Sequence, residues 1–511
     1  MKTNRVIKIF LASSEELEAD RYRFGNLIRK LDNIYEKRGI RIELFEWEDY
    51  DAAYNGMRKQ DEYNERVRAS DMFLALFHKK AGKFTIEEFN IARKAFDEQA
   101  SPKIYTYIKD LEAGESESRE LAEFKRLMLE ELGHYWCRYS NFDTMQLHFV
   151  LQLQMVEATT PIKVEVKESQ VKIGDSTIAD LNNVPFTSEN ATHRELQSRK
   201  EQLDREIGNA ESGGRRGFFG QRSRMTDEEL ANLREERESV TEQIERQEKA
   251  LVDTAMSIAR MQGGECSPRM RTAAELFEKG ETDKAEAVLK EDDMEADATN
   301  AKLKFDTAAQ PTAELARNIE RCAGEYMLKA RIVVSGIADE SRYRQAVKLM
   351  STAIDLVSGR LPEETLAEYL FDYAVLLADA GQQTKALETW ERLSGIYERL
   401  YRKAPQKYAY GYAGVLNNMA VLYSDKGDFD HCLSKYLKAI DIYDWLDREE
   451  PGIYDDDIAR LKNNLGTLYS DRDEYNKALS EFNEAARIRF ELLAKDNDPD
   501  SRSALADIYC N

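Results

Sequence analysis

A 46-residue repeat in the second half of this 511-residue chain limits its fold more than any other feature. The apolar segments YAVLL, MAVLY and LGTLY recur at this spacing, at 373–377, 419–423 and 465–469. Each is followed by a second matching segment, at 381–386, 427–432 and 473–478, and weaker copies lie at 280–285 and 343–346. A fixed period of this length predicts pairs of amphipathic helices that stack on one another into a solenoid.

A small residue marks the point where the two helices of each unit would cross, namely Ala374, Ala420 and Gly466. The units resemble tetratricopeptide repeats, lengthened beyond the usual ~34 residues as in the kinesin-light-chain kind. For residues 268–511 the resemblance implies a right-handed all-α solenoid that binds a protein or peptide on its concave face. Residues 504–511 match the first helix of a further unit, so we expect this solenoid to be truncated or uncapped at its C-terminal end.

Residues 1–158 show a different pattern, in which short apolar runs alternate with helical segments. The runs that predict strands lie at 6–11, 40–44, 72–77, 103–108 and 134–139. Successive strand–helix units form parallel sheets with helices on both faces. This part therefore predicts an α/β domain of flavodoxin-like architecture.

The strand at 72–77 leads into a helix predicted over 85–99, and this junction is the candidate active site. A carboxylate in the first helical turn after a buried strand lies where open parallel sheets bind their ligands. Glu88 holds that position, at the border of the helix's apolar stripe, while Glu87 points away from it. The stripe is predicted to consist of Ile86, Phe89, Ala92 and Phe96.

Each candidate residue also has a purely structural interpretation. Thr85 and Glu88 have the spacing of a capping box, so Glu88 is either a functional carboxylate or part of a helix cap. Ser13 and Ser14, after the first strand, either bind phosphate or ribose oxygens near a helix N-terminus or cap that helix. Trp47, after the second strand, is either a stacking surface for a ring or a core residue.

Three motifs in this part of the chain carry a family resemblance. They are KIFLASS at 8–14, Ser70-Asp71 before the third strand, and the pattern Thr85-x-x-Glu88-Phe89-x-x-Ala92. They resemble TIR-like domains of the bacterial branch that precedes sensor or repeat regions. That branch is similar in layout to nucleoside 2-deoxyribosyltransferases.

The resemblance implies that the domain hydrolyses the N-glycosidic bond of NAD or a related nucleotide when the repeats bind a trigger, in a bacterial defence role. It makes Glu88 the catalytic residue and places Ser13, Ser14, Trp47 and Thr85 against the substrate. Breaking this bond passes through an oxocarbenium-like sugar, whose charge a single preoriented carboxylate can stabilise. NAD would be a substrate, and no cofactor is expected.

Two other functions remain open at this stage. TIR-like domains include many adaptors, so the chain is alternatively a non-enzymatic scaffold whose first domain self-associates and whose repeats bind a protein. Deoxyribosyl transfer is the weaker alternative, because the transferase pattern has glycine two residues after the glutamate and this chain has Asn90 there.

Two short regions connect the sheet to the repeats. Alternating apolar residues predict a small β-hairpin module within 159–190, and they are Ile162, Val164, Val166, Val171 and Ile173. Heptad-spaced Leu, Ile and Val residues predict an antiparallel coiled-coil hairpin over 191–265. The basic, aromatic segment 213–224 lies between its helices and is either a solvated loop or a contact for phosphate or an acidic partner.

Composition excludes several classes of function. A net charge of −22 argues against nucleic-acid binding, which needs a basic face. The five cysteines and five histidines are scattered, so neither a disulfide framework nor a metal site is predicted. We expect a cytoplasmic protein with no signal peptide and no membrane contact, because no apolar run is long enough for either segment.

Overall fold

The computed structural model describes residues 5–36, 39–45, 59–131, 136–156, 164–173, 176–212, 226–262, 266–336, 339–449 and 451–496. The chain divides into two compact units. The first comprises Met1–Val150 with Ser176–Asn183, and the second comprises Leu151–Asp175 with Val184–Asn511. No helix within the described ranges combines the length and the apolar character that a membrane span needs.

A five-stranded parallel sheet forms the first unit, as the sequence predicts. The strands are β1 (Arg5–Ser13), β2 (Ile40–Phe45), β3 (Met72–Phe77), β4 (Lys103–Lys109) and β5 (Cys137–Tyr139). Their spatial order is β2-β1-β3-β4-β5, the order of flavodoxin-like sheets. All six residues of β3 are buried, which explains why its sequence is uninterruptedly apolar.

Helices cover both faces of this sheet. They are α1 (Glu18–Glu36), α2 (Lys59–Arg68), α3 (Lys83–Gln99), α4 (Arg119–Arg126) and α5 (Phe142–Val156). On one face, Val67 of α2, Phe89 of α3 and Phe124 of α4 pack with Phe73 and Phe77 of β3 in a single apolar cluster. On the other face, Phe24 of α1 and Phe149 of α5 contact each other edge-on, with ring centroids 4.8 Å apart.

A small β-hairpin and a helical hairpin begin the second unit, both as predicted. Strands β6 (Glu165–Lys167) and β7 (Gln170–Ile173) pair antiparallel, and α6 (Pro185–Ser188) comes later in the chain, after β8 (Ser176–Asp180) of the first unit. Helices α7 (Ala191–Ser212) and α8 (Asp227–Gln262) pack antiparallel through a cluster of Leu203, Val240 and Ile244. Ser169, in the β6–β7 turn, donates a 2.6 Å hydrogen bond to Glu248 of α8.

Eleven further helices between residues 268 and 496 make up the rest of the described chain. They are α9 (Pro268–Glu278), α10 (Thr282–Val288), α11 (Glu291–Thr307), α12 (Ala313–Val334), α13 (Glu340–Val357), α14 (Glu363–Asp379), α15 (Gln383–Lys403), α16 (Pro405–Asp425), α17 (Phe429–Glu449), α18 (Asp455–Asp471) and α19 (Tyr475–Asp496). Helices α14 to α19 form three successive pairs that match the 46-residue repeat. The all-helical repeat region is therefore confirmed.

The four domain boundaries drawn from the sequence, at 1–158, 159–190, 191–265 and 268–511, stay predictions. Three other predictions fall outside the described residues: the place of Trp47, the segment 213–224 and the helix at 504–511.

Gly280 separates α9 from α10 and has the tightest surroundings of a turn glycine in the described repeats. Its φ is +76°, and a Cβ there would lie 2.7 Å from the carbonyl oxygen of Pro185 and 2.9 Å from the nitrogen of Asn190. Gly381, in the turn between α14 and α15, has nearly the same φ of +69° and nothing within 4 Å of a Cβ. The two glycines thus share a left-handed backbone conformation, but only Gly280 has backbone atoms close to where a Cβ would lie.

We expect Gly381→Ala to lower the free energy of unfolding by about 1 kcal/mol, the cost of a left-handed alanine. Gly280→Ala should lose about 1–3 kcal/mol more, because its methyl group meets backbone atoms that cannot rotate away. Urea unfolding of the two variants beside the wild type measures both changes. Equal losses in the two variants would contradict the close packing around Gly280.

Candidate functional site

The candidate site is the carboxyl edge of the sheet between β1 and β3, termed the crevice, where the strand order reverses. In the order β2-β1-β3-β4-β5 the connections leave these two central strands in opposite directions, and ligands of open α/β sheets bind at such a point. Ser13 ends β1 and Phe77 ends β3, and α3 begins six residues after Phe77, at Lys83. The structure thus brings the ends of β1 and β3 to the same edge of the sheet as the start of α3.

Thr85 and Glu88 lie on the buried side of α3. Thr85 is 4% exposed and Glu88 is 7% exposed, together with Phe89, Ala92 and Ala95 on the same side of the helix. Glu88 is therefore part of the buried stripe and not at its border. Phe96, which was predicted to belong to the stripe, is 45% exposed, so that prediction is wrong.

The capping interpretation of Thr85 is wrong because α3 begins earlier than the sequence suggested. The N-cap residue is Gly82, in an extended conformation and with no side-chain cap hydrogen bond. Thr85 is the third residue of the helix, where it cannot be the N-cap. The neighbouring Glu87 is half-buried, and its carboxylate accepts a 3.2 Å hydrogen bond from the side-chain amide of Asn64 on α2.

The two serines after β1 are held by a buried arginine. Arg21 Nη1 on α1 donates to Ser13 Oγ at 2.9 Å and to the backbone carbonyl of Ser14 at 2.9 Å. Ser14 is 8% exposed, and its hydroxyl donates to the carboxylate of Glu16 at 3.3 Å. Both predicted contact residues are thus at the crevice, and their polar atoms are engaged by residues of α1 and its leading turn.

Glu16 joins the ends of the two central strands, a role that the sequence did not reveal. Its Oε1 accepts hydrogen bonds from the backbone N–H groups of Lys79 at 3.1 Å and Lys80 at 3.4 Å, just beyond β3. Adjacent backbone N–H groups that face one oxygen form an anion-binding arrangement. Here a carboxylate of the chain itself fills it.

A second polar cluster lies at the same edge, on the face that α1 covers. Asp20 is 4% exposed and accepts hydrogen bonds from Lys109 Nζ of β4 at 2.9 Å and from the Tyr139 hydroxyl of β5 at 3.0 Å. Burial, together with the nearby Asp20 charge, raises the pKa of the Tyr139 hydroxyl well above its usual value. The Tyr139 hydroxyl therefore keeps its proton at neutral pH and donates a hydrogen bond to the Asp20 carboxylate.

Basic side chains follow β3 directly. Lys79 forms an ion pair with Glu115, and this hydrogen bond lowers the pKa of the Glu115 carboxyl. His78 Nε2 lies 3.3 Å from the same carboxylate. Three consecutive basic residues, His78, Lys79 and Lys80, thus follow β3 in a protein that is acidic as a whole.

One sequence signal could have identified the buried charges of α1. The apolar positions of this helix and the turn before it recur at Leu17, Phe24, Leu27 and Leu31, and Asp20 and Arg21 lie between the first two of them. A charged residue at a core position of an amphipathic helix can be buried only when an oppositely charged or hydrogen-bonding partner lies beside it. Within the ranges that the structure describes, no group of His, Cys, Asp and Glu side chains could hold a metal ion.

The second unit contains a cavity of about 1220 Å³ between the α7–α8 hairpin and helices α12 to α14. Its charged lining includes Asp253 of α8, Arg331 of α12, and Asp372 and Asp379 of α14. Arg331 and Asp372 form an ion pair at 2.6 Å. Burial raises the pKa of the Asp253 and Asp379 carboxyls, and the positive charges nearby only partly offset this effect.

Residues that line the cavity on α14 have counterparts at the same repeat positions of α16 and α18. Phe371 corresponds to Asn417 and Asn463, Val375 to Val421 and Thr467, and Asp379 to Asp425 and Asp471, each at a step of 46. Val421 is 41% exposed on α16. Asn417 is 7% exposed, and its side-chain oxygen has no hydrogen-bond partner within the described part of the chain.

Comparison with known proteins assigns no family. No protein-family model matches the chain, and no curated protein matches it either. Among solved structures, BtubC (BKLC) from P. vanneervenii is similar at 17% identity, with a TM-score of 0.31, over 58% of this chain and 92% of that one. The apo form of RapI is similar at 15% identity, with a TM-score of 0.34, over 62% and 71%.

A third solved structure, a STAND protein with a tetratricopeptide repeat sensor from Pyrococcus horikoshii, is similar over 99% of this chain and 93% of its own. Its identity is 11% and its TM-score is 0.25. At these values the three similarities assign no function to this chain.

We expect Asp20→Asn to lower the free energy of unfolding by about 2–3 kcal/mol, because the Lys109 ammonium then lacks its buried counter-charge. Glu123→Gln, which breaks the exposed i,i+4 pair with Arg119 on α4, is the matched control and should leave stability nearly unchanged. Urea unfolding compares the two. A loss at Asp20 no larger than that at Glu123 would show that the buried cluster is not stabilising.

The cavity carboxylates predict a pH-dependent effect with a defined sign. The pKa of Asp253 is higher in the folded chain than in the unfolded one. Its contribution to stability therefore falls as the pH rises from the unfolded-state pKa to the folded-state pKa. Asp253→Asn should therefore stabilise the protein relative to wild type at pH ~7, and this gain should disappear only near pH ~2.5, below the unfolded-state pKa of about 3.9, where the carboxyl is protonated in both states.

Asp306 is the matched control with the opposite sign, because its hydrogen bond from Arg360 lowers its pKa. Asp306→Asn should destabilise the protein at neutral pH and have less effect in acid. Urea unfolding at the two pH values measures both variants. A destabilisation by Asp253→Asn at neutral pH would contradict the burial effect at the cavity.

Proposed function

We propose that this chain is a two-part receptor, in which the helical repeats bind a protein or peptide and the α/β unit is the effector that cleaves the N-glycosidic bond of NAD or a related nucleotide. The observation that carries the proposal is the place of Thr85 and Glu88, buried on the sheet side of α3 at the crevice edge and outside the helix cap. A buried carboxylate at such an edge is a frequent feature of functional sites.

The repeats supply the recognition half of the proposal. Helices α14, α16 and α18 share an aspartate at one of their equivalent positions, and on α16 the buried side-chain oxygen of Asn417 has no hydrogen-bond partner among the described residues. An unpaired buried acceptor costs free energy until a donor reaches it, so a backbone N–H of a bound peptide is a suitable partner. The apolar Val375 and Val421 beside these positions would contact side chains of the same peptide.

The chemistry needs few groups. The ribosyl carbon develops positive charge as the bond to nicotinamide lengthens, and the nicotinamide nitrogen, cationic in NAD, leaves neutral without a proton. Glu88 would stabilise the developing charge from a site with little water, where its effect is largest. Thr85 lies one turn earlier on the same side of α3, and Ser13 and Ser14 end the neighbouring strand, where they would contact ribose or phosphate oxygens.

We expect full-length wild-type protein to release nicotinamide from NAD when it is concentrated or clustered on beads, a format that favours assembly if the effector needs it. Glu88→Gln keeps the side-chain size but loses the charge, and should reduce release at least about a hundredfold. Glu87→Gln, on the adjacent residue that pairs with Asn64, is the matched control and should retain activity. Equal turnover by wild type and Glu88→Gln would exclude the catalytic role.

A non-enzymatic scaffold is the second candidate, and a specific observation favours it. The backbone N–H groups beyond β3 already bind Glu16, and Ser13 already accepts from Arg21, so the chain's own side chains take up groups that a nucleotide would need. On this account clustered protein releases no nicotinamide, and the α/β unit self-associates instead. Sedimentation of the full chain at rising concentration measures that self-association.

The same protein preparation distinguishes deoxyribosyl transfer, the weaker alternative, from NAD hydrolysis. Incubation with a deoxynucleoside and a different free base would then yield the exchanged nucleoside, whereas an NAD hydrolase would leave both unchanged. Asn90 occupies the position where the transferase pattern has glycine, and it is exposed on α3.

A further inference from the structure

A hydrogen-bonded chain of three side chains lies on the sheet face that α5 covers, and the proposed function does not use it. Cys137 is the first residue of β5, and its Sγ lies 3.0 Å from Nε2 of His148 on α5. The other ring nitrogen, Nδ1, lies 3.0 Å from the hydroxyl of Tyr107 on β4. The β4–β5 pairing sets Tyr107 and Cys137 opposite each other. One imidazole thus bridges a thiol and a phenol.

This geometry suits proton removal from the thiol. In the tautomer with the proton on Nδ1, the imidazole donates to the Tyr107 oxygen and Nε2 accepts from the sulfur. Tyr107 is 1% exposed, and its ring meets that of His148 edge-on at 5.5 Å between centroids, so both rings are held in place. A cysteine next to a base is activated because the thiolate, and not the thiol, is the nucleophile.

Cys137 also differs from the other described cysteines in its environment, and it is more exposed than Cys322 and Cys432. It is half-buried on β5, which ends the sheet and pairs with β4 alone among the described strands. Burial raises the pKa of the Cys266 thiol, and it raises those of Cys322 and Cys432 to about 11. These three thiols are therefore protonated at neutral pH and react slowly.

We propose that Cys137 is a site of covalent modification by small electrophiles, peroxides in particular, with His148 as its base and Tyr107 as the residue that positions His148. With hydrogen peroxide, Nε2 takes the thiol proton, the sulfur attacks one peroxide oxygen, and the O–O bond breaks. The leaving hydroxide takes the proton from the imidazolium and departs as water. The sulfur is oxidised to a sulfenic acid, and the peroxide is reduced.

Titratable groups that interact with the Cys137 sulfur include His148 from α5 and Tyr105 and Tyr107 from β4. Burial, followed by the effect of a charge on Cys137, raises the pKa of Tyr105 to about 12. Both tyrosines are thus neutral at physiological pH, and the imidazole is the base.

The test is competitive alkylation of the full chain in a Cys510→Ser background, with limiting iodoacetamide and quantitation of each labelled cysteine by mass spectrometry. We expect Cys137 to be labelled at least about tenfold faster than Cys322 or Cys432. After treatment with peroxide, a cyclic diketone that traps sulfenic acids should mark Cys137. Preferential labelling of another cysteine, or no diketone adduct on Cys137, would overturn the proposal.

Two variants test whether His148 acts as the base for Cys137 or only supports the local structure. His148→Gln retains hydrogen-bonding groups but takes no proton, and should slow labelling of Cys137 about tenfold or more. Tyr107→Phe should move the pH midpoint of labelling upward, because the imidazole loses its fixed tautomer. In both variants Cys322 and Cys432 serve as internal controls that must stay protected. Wild-type labelling rates in His148→Gln with those thiols protected would show that His148 is not the base.

Discussion

The complete burial of β3 is the constraint on which the α/β unit depends. A parallel strand in the middle of a sheet has both faces against other elements, so every side chain from Met72 to Phe77 is in the core. Since its backbone pairs with β1 and β4, helices must cover it above and below. Helix α3 fills one of those places, and this fixes which of its side chains face inward.

The burial of α3 has a direct consequence for the candidate chemistry. Thr85 and Glu88 share the inward side of the helix with Phe89 and Ala92, and a carboxylate there is kept from bulk water. Such burial is unfavourable for a charge unless the protein or a ligand compensates it. A buried carboxylate at this position therefore lowers stability unless it is compensated, but it is well placed to stabilise a positive charge that develops on a substrate.

Hydrogen bonds between polar side chains and neighbouring strands connect the strand ends at the carboxyl edge of this sheet. Glu16 joins the end of β1 to the amides beyond β3, and Asp20 joins α1 to β4 and β5. Arg21 holds the loop after β1 through a serine hydroxyl and a carbonyl. The same groups that stabilise this edge would have to rearrange around a nucleotide, so stability and binding compete at the same atoms.

In the helical region, apolar surface is buried by the stacking of successive helix pairs. Each pair of helices buries only part of its apolar surface, and stacking of successive pairs buries more. Next to the α7–α8 hairpin this stacking leaves a cavity whose carboxylates are partly removed from water, and the Arg331–Asp372 pair lies within it. The recurring positions on α14, α16 and α18 come from the period of the sequence, whereas the cavity comes from a helix outside the repeat.

The sequence by itself determined the parallel sheet, the hairpins and the repeated helix pairs, because apolar periodicity follows directly from the geometry of strands and helices. It also singled out Thr85 and Glu88. It misjudged Phe96 and the start of α3, since a boundary set by Gly82 depends on the backbone of the preceding loop. Only the tertiary structure decided that Glu16 reaches the amides beyond β3, that Asp20 meets Lys109, and that His148 lies beside Cys137. The first two contacts join residues 63 and 89 positions apart, the third joins a strand to a helix, and no local pattern encodes which partner a polar side chain will meet.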